Sequence, residues 1–147
     1  MTGSKPPLAL PQIAALPMRE VDGRLEVCLV TTRETGRWTV PKGWPMKGIP
    51  DRKAAEIEAR QEAGVVGKAA KTPLGTFDYW KRRPGRFDLV RVSVFRLKTR
   101  KSLHDWKEKD ERQVRWMSLA DAATAVDEPG LKAILVALEL EIAATAD

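Results

Sequence analysis

The 147-residue sequence predicts an α/β or α+β sandwich in which a mixed sheet carries helices on both faces. Apolar runs of strand length lie before and after a single charged helical segment, and a helical stripe of large apolar residues follows near the C-terminus. The order is strand, strand, helix, strands, helix, helix, without internal repeats or a low-complexity linker. Residues 8–147 are therefore expected to form a single domain, after a small, polar, proline-containing stretch, residues 1–7, that is expected to be a disordered tail.

The N-terminal half predicts a hairpin followed by a short strand. Residues 8–18 and 25–32 are rich in apolar side chains, and Asp22-Gly23 between them is typical of a turn. Residues 38–40 form another short extended segment. A helix is predicted over residues 51–63, with Asp51 favourable at its positive end and Gly64 suited to a left-handed C-terminal cap.

The C-terminal half predicts two longer strands and two helices. Residues 72–80 and 87–97 flank a basic turn, residues 81–86, and the second strand presents a row of valines on one face. Residues 98–110 are expected to form a long, charged connection. A short strand at 114–117 and a helix at 119–126 precede a final helix that begins near Pro129. Its buried stripe is predicted to comprise Leu131, Ile134, Leu135, Leu138 and Ile142.

Composition limits the classes of function. With 43% hydrophobic and 31% charged residues, the chain has the balance of a soluble globular protein. The net charge of +6 and the pI of about 9.7 favour anionic partners such as phosphates, nucleotides, nucleic acid or an acidic membrane surface. The single cysteine, Cys28, lies in an apolar run and is expected to be a small buried residue rather than a nucleophile.

The sequence has no pattern typical of a secretory signal and no apolar run of membrane-spanning length. The cytoplasm is therefore the expected compartment, and no membrane association is predicted. Nothing in the sequence indicates an oligomeric state.

The segment of residues 41–65 combines a Gly/Pro-rich loop with the charged helix. Glu58, Gln61 and Glu62 stand at i, i+3 and i+4, so that their side chains share one helix face. Neighbouring carboxylates repel each other, and a divalent metal between them would remove that repulsion. The alternative interpretation is an ordinary solvated helix face preceded by a turn.

This segment resembles the signature box of the Nudix hydrolases. In that box a glycine and a glutamate are separated by five residues, and seven residues later comes Arg-Glu-U-x-Glu-Glu-x-Gly-U, in which U is a bulky aliphatic residue. The matching positions in this chain are Gly43, Glu58, Glu62, Gly64 and Val65. The departures are Ile49 for the first glutamate, Ile57 for the arginine and Gln61 for the first residue of the Glu-Glu pair, and Ala59 is small for an aliphatic position.

The resemblance implies a three-layer α/β/α sandwich and hydrolysis of a diphosphate linkage. It implies Mg²⁺, or Mn²⁺ in its place, bound by Glu58, Glu62 and the backbone carbonyl of Gly43. Glu62 would also orient the attacking water. Gln61 could coordinate through its amide oxygen but cannot act as a base, so that weaker metal binding and slow or absent turnover are expected. Asp110 or Glu111 could supply the late acidic residue that many members of the family bring from a loop opposite the box.

Outside the box, residues 37–44, 79–82 and 106–116 resemble the diphosphoinositol polyphosphate phosphohydrolase branch. Basic side chains in these segments and beside them would suit a densely charged anionic substrate. The predicted substrate-binding residues are Arg37, Lys42, Gly43, Lys81, Arg82 and Arg83. The alternative for residues 81–86 is an ordinary solvated hairpin tip.

Three functions follow from these expectations. The favoured one is a divalent-metal-dependent hydrolase acting on a diphosphoinositol phosphate, a dinucleoside polyphosphate or a nucleoside diphosphate derivative. The second is a phosphate- or nucleotide-binding module of the same fold with weakened catalysis. A nucleic-acid-binding domain is less favoured, because the basic residues cluster in one turn and no recognition helix or aromatic platform is evident.

Overall fold

The computed structural model describes residues 8–145, and the predicted disordered tail, residues 1–7, lies outside this part of the chain. Within it, one eight-stranded sheet is combined with three helices. The elements in chain order are β1 (Leu10–Val21), β2 (Arg24–Thr31), β3 (Trp38–Thr39), β4 (Lys42–Gly43), α1 (Asp51–Ala63), β5 (Val65–Ala69), β6 (Gly75–Arg83), β7 (Arg86–Ser102), β8 (Val114–Met117), α2 (Leu119–Ala125) and α3 (Pro129–Thr145).

The centre of the sheet is the parallel pair β1 and β7, whose register runs from Leu10 opposite Val90 to Met18 opposite Lys98. The other pairings are antiparallel: β2 and β4 pair with β1, β5 and β6 with β7, and β3 and β8 with β2. The sheet is therefore mixed, as predicted.

Both faces of the sheet are covered by helices. Alternate residues of the central strands, such as Leu16 and Val92, pack in a hydrophobic cluster with α2 and α3. The intervening residues, such as Ala15 and Leu97, pack in a second cluster with α1. This arrangement confirms the predicted three-layer α/β/α sandwich.

Helix α1 lies close to the sheet because its inward residues are small. Ala54, Ala55 and Ala59 are fully buried. The helix is capped by Gly64, whose left-handed conformation (φ 68°) suits glycine and whose N–H donates to the carbonyls of Ala59 and Arg60. The predicted helix bounds and C-terminal cap are confirmed.

Two sequence-based boundaries were wrong. The connection predicted at residues 98–110 begins only after Ser102, because β7 continues to that residue. The end of β7 pairs there with β5, a strand that was not predicted from the sequence. The expected basic turn at residues 81–86 is mostly strand, since only Pro84-Gly85 separates the paired residues Arg83 and Arg86. Pairing between distant segments stabilises the first of these strand regions, and hairpin pairing of β6 with β7 stabilises the second, although local composition indicates neither.

The C-terminal helices follow the prediction. Helix α3 begins at Pro129, and its stripe buries Leu131, Leu135 and Leu138, with Ile134 and Ile142 partly buried beside them. Among residues 8–145, no helix has both the length and the apolar character needed to cross a membrane.

Candidate active site

A cleft of about 450 Å³ opens beside β4 and the second half of α1. Charged side chains from both halves of the sequence line it. The cationic ones are Arg33, Arg37, Lys42, Lys81, Arg82 and Arg112, and the acidic ones are Glu34, Glu58, Glu62, Glu108 and Glu128.

Glu58 lies directly against the backbone of Gly43. A Cβ atom on Gly43 would overlap the carboxylate of Glu58, so that only glycine leaves room for this carboxylate. The pairing of β4 with β1, in which Gly43 lies opposite Ile13, fixes the backbone on the other side of the contact. The sheet and the helix together therefore determine where the Glu58 carboxylate lies.

Glu62 lies one turn farther along the same face of α1 and is also buried. Its Oε1 accepts a hydrogen bond of 3.3 Å from the backbone N–H of Lys42. Its Oε2 lies 3.6 Å from a terminal nitrogen of Arg112. Glu58 and Glu62 thus form a pair of buried carboxylates that face β4.

The loop of residues 103–113 closes one side of the cleft, and Arg112 anchors it. The guanidinium of Arg112 donates to the carboxylate of Glu108 (2.9 Å) and to the backbone carbonyl of Thr31 (3.0 Å), in addition to its contact with Glu62. The backbone N–H of Glu108 donates to the carbonyl of Gln61 (3.0 Å). The loop is therefore bonded to both α1 and β2.

Burial controls the electrostatics of the acidic pair. It raises the pKa of Glu62 to about 7, against the opposing effect of Arg112 and with a further increase from Glu58. Burial also raises the pKa of Glu58, and the nearby charge of Glu108 adds to this effect. Two adjacent buried carboxylates with raised pKa values are an arrangement that a bound cation would stabilise.

Another part of the cleft wall combines Lys42, Tyr79, Gln12 and Glu128. The Tyr79 hydroxyl donates to the side-chain carbonyl of Gln12 (2.8 Å), and the Lys42 ammonium lies 5.2 Å from the centre of the Tyr79 ring. Burial lowers the pKa of Lys42, whereas Glu62 and Glu128 act in the opposite direction. This wall offers several hydrogen-bonding groups to a ligand beside the acidic pair.

Most of the predicted site residues lie together in the cleft. Glu58, Glu62 and Gly43 are in contact or adjacent, and Arg37, Lys42, Lys81 and Arg82 line the cleft around them.

Two predicted residues are not part of the cleft lining. Gln61 is half-buried and contributes its backbone carbonyl to the bond with Glu108. Arg83 pairs with Asp88 at 3.1 Å and stacks 5.6 Å from the centre of the Trp44 ring.

Sequence reasoning did not identify Glu108 as the acidic residue of the loop. Glu108 lines the cleft, whereas Glu111 bonds to Arg33 on the surface and Asp110 is exposed. Sequence reasoning also missed Gln12 and Glu128 as residues that line the cleft. Only the position of Glu128, directly before the proline that begins α3, could have drawn attention to it.

The donor atoms of the site suit a hard divalent cation. Among residues 8–145, no group of three or more His, Cys, Asp or Glu side chains is arranged to hold a metal by itself. A cation beside Glu58 and Glu62 would therefore need further oxygen ligands, such as the backbone carbonyl of Gly43 and water. Magnesium commonly binds through one or two carboxylates together with water and substrate oxygens.

Comparison with known proteins agrees with this architecture. Residues 10–137 match the family described as the NUDIX domain. Nudix hydrolase 12, mitochondrial, from Arabidopsis thaliana is 30% identical over 103 residues, which are 67% of this chain and 51% of the relative. The chain thus spans about half the length of this curated relative.

Solved structures share the fold. An Ap4A hydrolase binary complex from C. elegans superimposes with a TM-score of 0.68 at 18% identity, covering 92% of this chain and 99% of the other. The NUDIX domain of NrtR from Shewanella oneidensis, complexed with ADP ribose, superimposes with a TM-score of 0.65 at 18% identity, covering 90% of this chain and 88% of the other. With the family match over most of the chain and a glycine-bounded pair of glutamates on α1, this protein belongs to the Nudix family.

Proposed function

We propose that this protein is a divalent-metal-dependent hydrolase that cleaves a diphosphate linkage in a phosphorylated small molecule. The observation that carries the proposal is the buried carboxylate pair Glu58 and Glu62, which faces Gly43 in a cleft that also contains six cationic side chains. The name of the Arabidopsis relative, a Nudix hydrolase, supports the same class of reaction.

In this proposal, some side chains of the cleft bind the substrate and others take part in the reaction. Lys81, Arg82 and Arg37 would bind the oxygens of the diphosphate and hold it in the cleft. Glu62 would orient a water molecule and accept its proton, while the water oxygen forms the new bond to phosphorus, the bridging P–O bond breaks and the departing phosphate group leaves with the electron pair. A divalent cation bound beside Glu58 and Glu62 would neutralise charge on the diphosphate oxygens.

Charge in the cleft favours a nucleotide-type substrate over a densely phosphorylated inositol. Six cationic and five acidic side chains line it, so that it is almost neutral. A dinucleoside polyphosphate or a nucleoside diphosphate derivative carries fewer phosphates, together with hydroxyl and amino groups that can donate hydrogen bonds to the acidic residues. Trp44 and Trp80, which line the cleft and are exposed by 40% and 59%, offer aromatic surface for a base. The Ap4A hydrolase and the ADP-ribose complex among the structural neighbours agree with this class.

A product screen tests the proposal. Diadenosine tetraphosphate, ADP-ribose, a nucleoside diphosphate sugar and a diphosphoinositol phosphate would each be incubated with the protein and Mg²⁺ or Mn²⁺, and the products separated by ion-exchange chromatography. We expect cleavage of at least one nucleotide substrate, and none in EDTA. The Glu58→Gln/Glu62→Gln double variant is the control for contaminating enzymes.

A binding module with weakened catalysis is the second candidate. It is favoured by the contact of 3.6 Å between Arg112 and Glu62, which already places a cation beside the acidic pair, and by the departures at Ile49, Ile57 and Gln61. Micromolar binding of a nucleotide in calorimetry, without cleavage under either metal, would favour this candidate over the hydrolase.

A further inference from the structure

A second cavity, of about 720 Å³, lies at the far end of the central strands. We call it the β1–β7 slot, and it is lined by residues 18–20, 25 and 96–102. The cleft lies near the other end of the same strands, where Tyr79 of β6 pairs with Val90 of β7. From Val90 to Lys98 an extended strand spans about 26 Å, so that the slot and the cleft are separate surfaces.

The slot forms because two neighbouring strands part. The parallel ladder of β1 and β7 ends at Met18 and Lys98. Beyond this point β1 continues into its hairpin with β2, whereas β7 continues to Ser102 with β5 on its other side. In the described part of the chain, residues 99–102 of β7 therefore have a strand partner on one side only. Such an edge offers unpaired main-chain donors and acceptors.

The charge of the slot differs from that of the cleft. Five cationic side chains and one acidic side chain line it, namely Arg19, Arg96, Lys98, Arg100, Lys101 and Glu20. Arg19 is paired with Glu26, but Lys98, Arg100 and Lys101 form no ion pair with any residue between 8 and 145. The almost neutral cleft does not account for the net charge of +6, whereas the slot concentrates positive charge.

The spacing of these charges matches an extended peptide. Arg96 and Lys98 alternate along β7, about 6.6 Å apart on one face, and the register shift that skips Arg100 places Lys101 on the same face. Acidic side chains at alternate positions of a neighbouring strand have the same repeat. In addition, the Thr99 hydroxyl at the slot is buried without a hydrogen-bond partner.

Single-stranded nucleic acid fits the slot less well. Proteins that bind it combine cationic grooves with aromatic side chains on which bases stack. The residues that line the slot include no aromatic side chain. We infer that the β1–β7 slot binds an extended acidic peptide segment of a partner protein, which adds a strand along residues 99–102 of β7 and pairs its acidic side chains with Lys98 and Lys101.

Fluorescence anisotropy with the full chain tests this inference. The probe is a fluorescein-labelled 10-residue peptide of alternating Glu and Val, with a Lys/Val peptide of the same length as the opposite-charge control. We expect saturable binding of the Glu/Val peptide alone. The Lys98→Glu/Lys101→Glu variant should bind it about tenfold or more weakly, because like charges then face each other across the strands. Cleavage of the nucleotide substrate should not change.

A matched variant separates the slot from net charge. Lys47→Glu/Lys71→Glu makes the same change of charge at exposed lysines that line neither the slot nor the cleft. Equal weakening by both variants would overturn the inference, as would the absence of saturable binding. Preferential binding of a labelled single-stranded oligonucleotide, weakened by Lys98→Glu/Lys101→Glu, would identify a nucleic-acid surface instead. Self-association of that variant without peptide binding would mean that the lysines only protect an exposed strand edge.

Discussion

The backbone of Gly43 and the carboxylate of Glu58 are packed so closely that no side chain fits between them. The contact joins β4 to α1 at the centre of the proposed active site. It explains why β4 needs a glycine at its end, although the backbone there is not in the left-handed region.

Replacement of Gly43 by alanine should damage the site without unfolding the protein. The added methyl group must displace the Glu58 carboxylate, and a misplacement of about 1 Å can lower a rate about 10²-fold. We expect a loss of this size in kcat/KM for the substrate found in the screen. Gly75→Ala is the matched control, because a Cβ atom there meets Ile134 at an ordinary distance of 3.5 Å. Equal activity of the two variants would contradict the role of this contact.

The acidic pair should dominate metal binding, and Gln61 should contribute little. Glu58→Gln removes a carboxylate that faces Gly43, whereas Gln61→Glu adds one outside the cleft lining. We expect Glu58→Gln to raise the Mn²⁺ concentration for half-maximal binding about tenfold or more, and Gln61→Glu to change it less than about threefold. Titration calorimetry with Mn²⁺ measures both. A large gain of affinity in Gln61→Glu would instead support the sequence-based expectation that Gln61 weakens the site.

Arg112 should be the most important ionic residue for stability. Its side chain is 11% exposed and contacts Glu62 and Glu108, so that Arg112→Ala leaves buried carboxylates without their partner. We expect a loss of roughly 3 kcal/mol in the free energy of unfolding, measured by urea denaturation. Arg33→Ala removes a side chain that is 60% exposed and pairs with Glu111 of the same loop. Its expected effect on the free energy of unfolding is a loss below about 1 kcal/mol. Similar losses in the two variants would contradict the special role of Arg112 in stability.

Cys28 should make stability depend on alkaline pH. Burial raises the pKa of its thiol from 9.0 to about 12 in the folded protein. The unfolded chain therefore releases this proton first, and stability falls as the pH rises above 9. Between pH 8 and pH 10 this proton release lowers the free energy of unfolding by about 1.4 kcal/mol. Urea denaturation of the natural protein and of Cys28→Ala should differ in their pH dependence by this amount, and parallel curves would contradict the prediction.

Local patterns in the sequence were sufficient for much of the fold. Helix α1 was predictable from its alanines, its carboxylates and Gly64, which all lie within one short segment. The stripe of α3 and the alternation of valines in β7 are likewise local signals. Strand β5 was not predictable in this way, because Gly67 and Lys68 weaken its pattern and pairing with the end of β7 stabilises it.

The same distinction applies to the site. Glu58 and Glu62 follow from one helix face, and Gly43 from the loop before it. Glu108 and Glu128 reach the cleft through the loop after β7 and the start of α3, so that their contribution depends on tertiary packing. Sequence spacing cannot distinguish Glu108 from Glu111, although only Glu108 lines the cleft.

The small inward face of α1 has a consequence for the evolution of the site. Because Ala55 and Ala59 are fully buried, a larger residue at either position must move the helix away from the sheet. The gap between Glu58 and Gly43 would widen by the same movement. The dimensions of the proposed catalytic centre therefore depend on the methyl groups that α1 packs against the sheet, and substitutions at these positions should affect activity as well as folding.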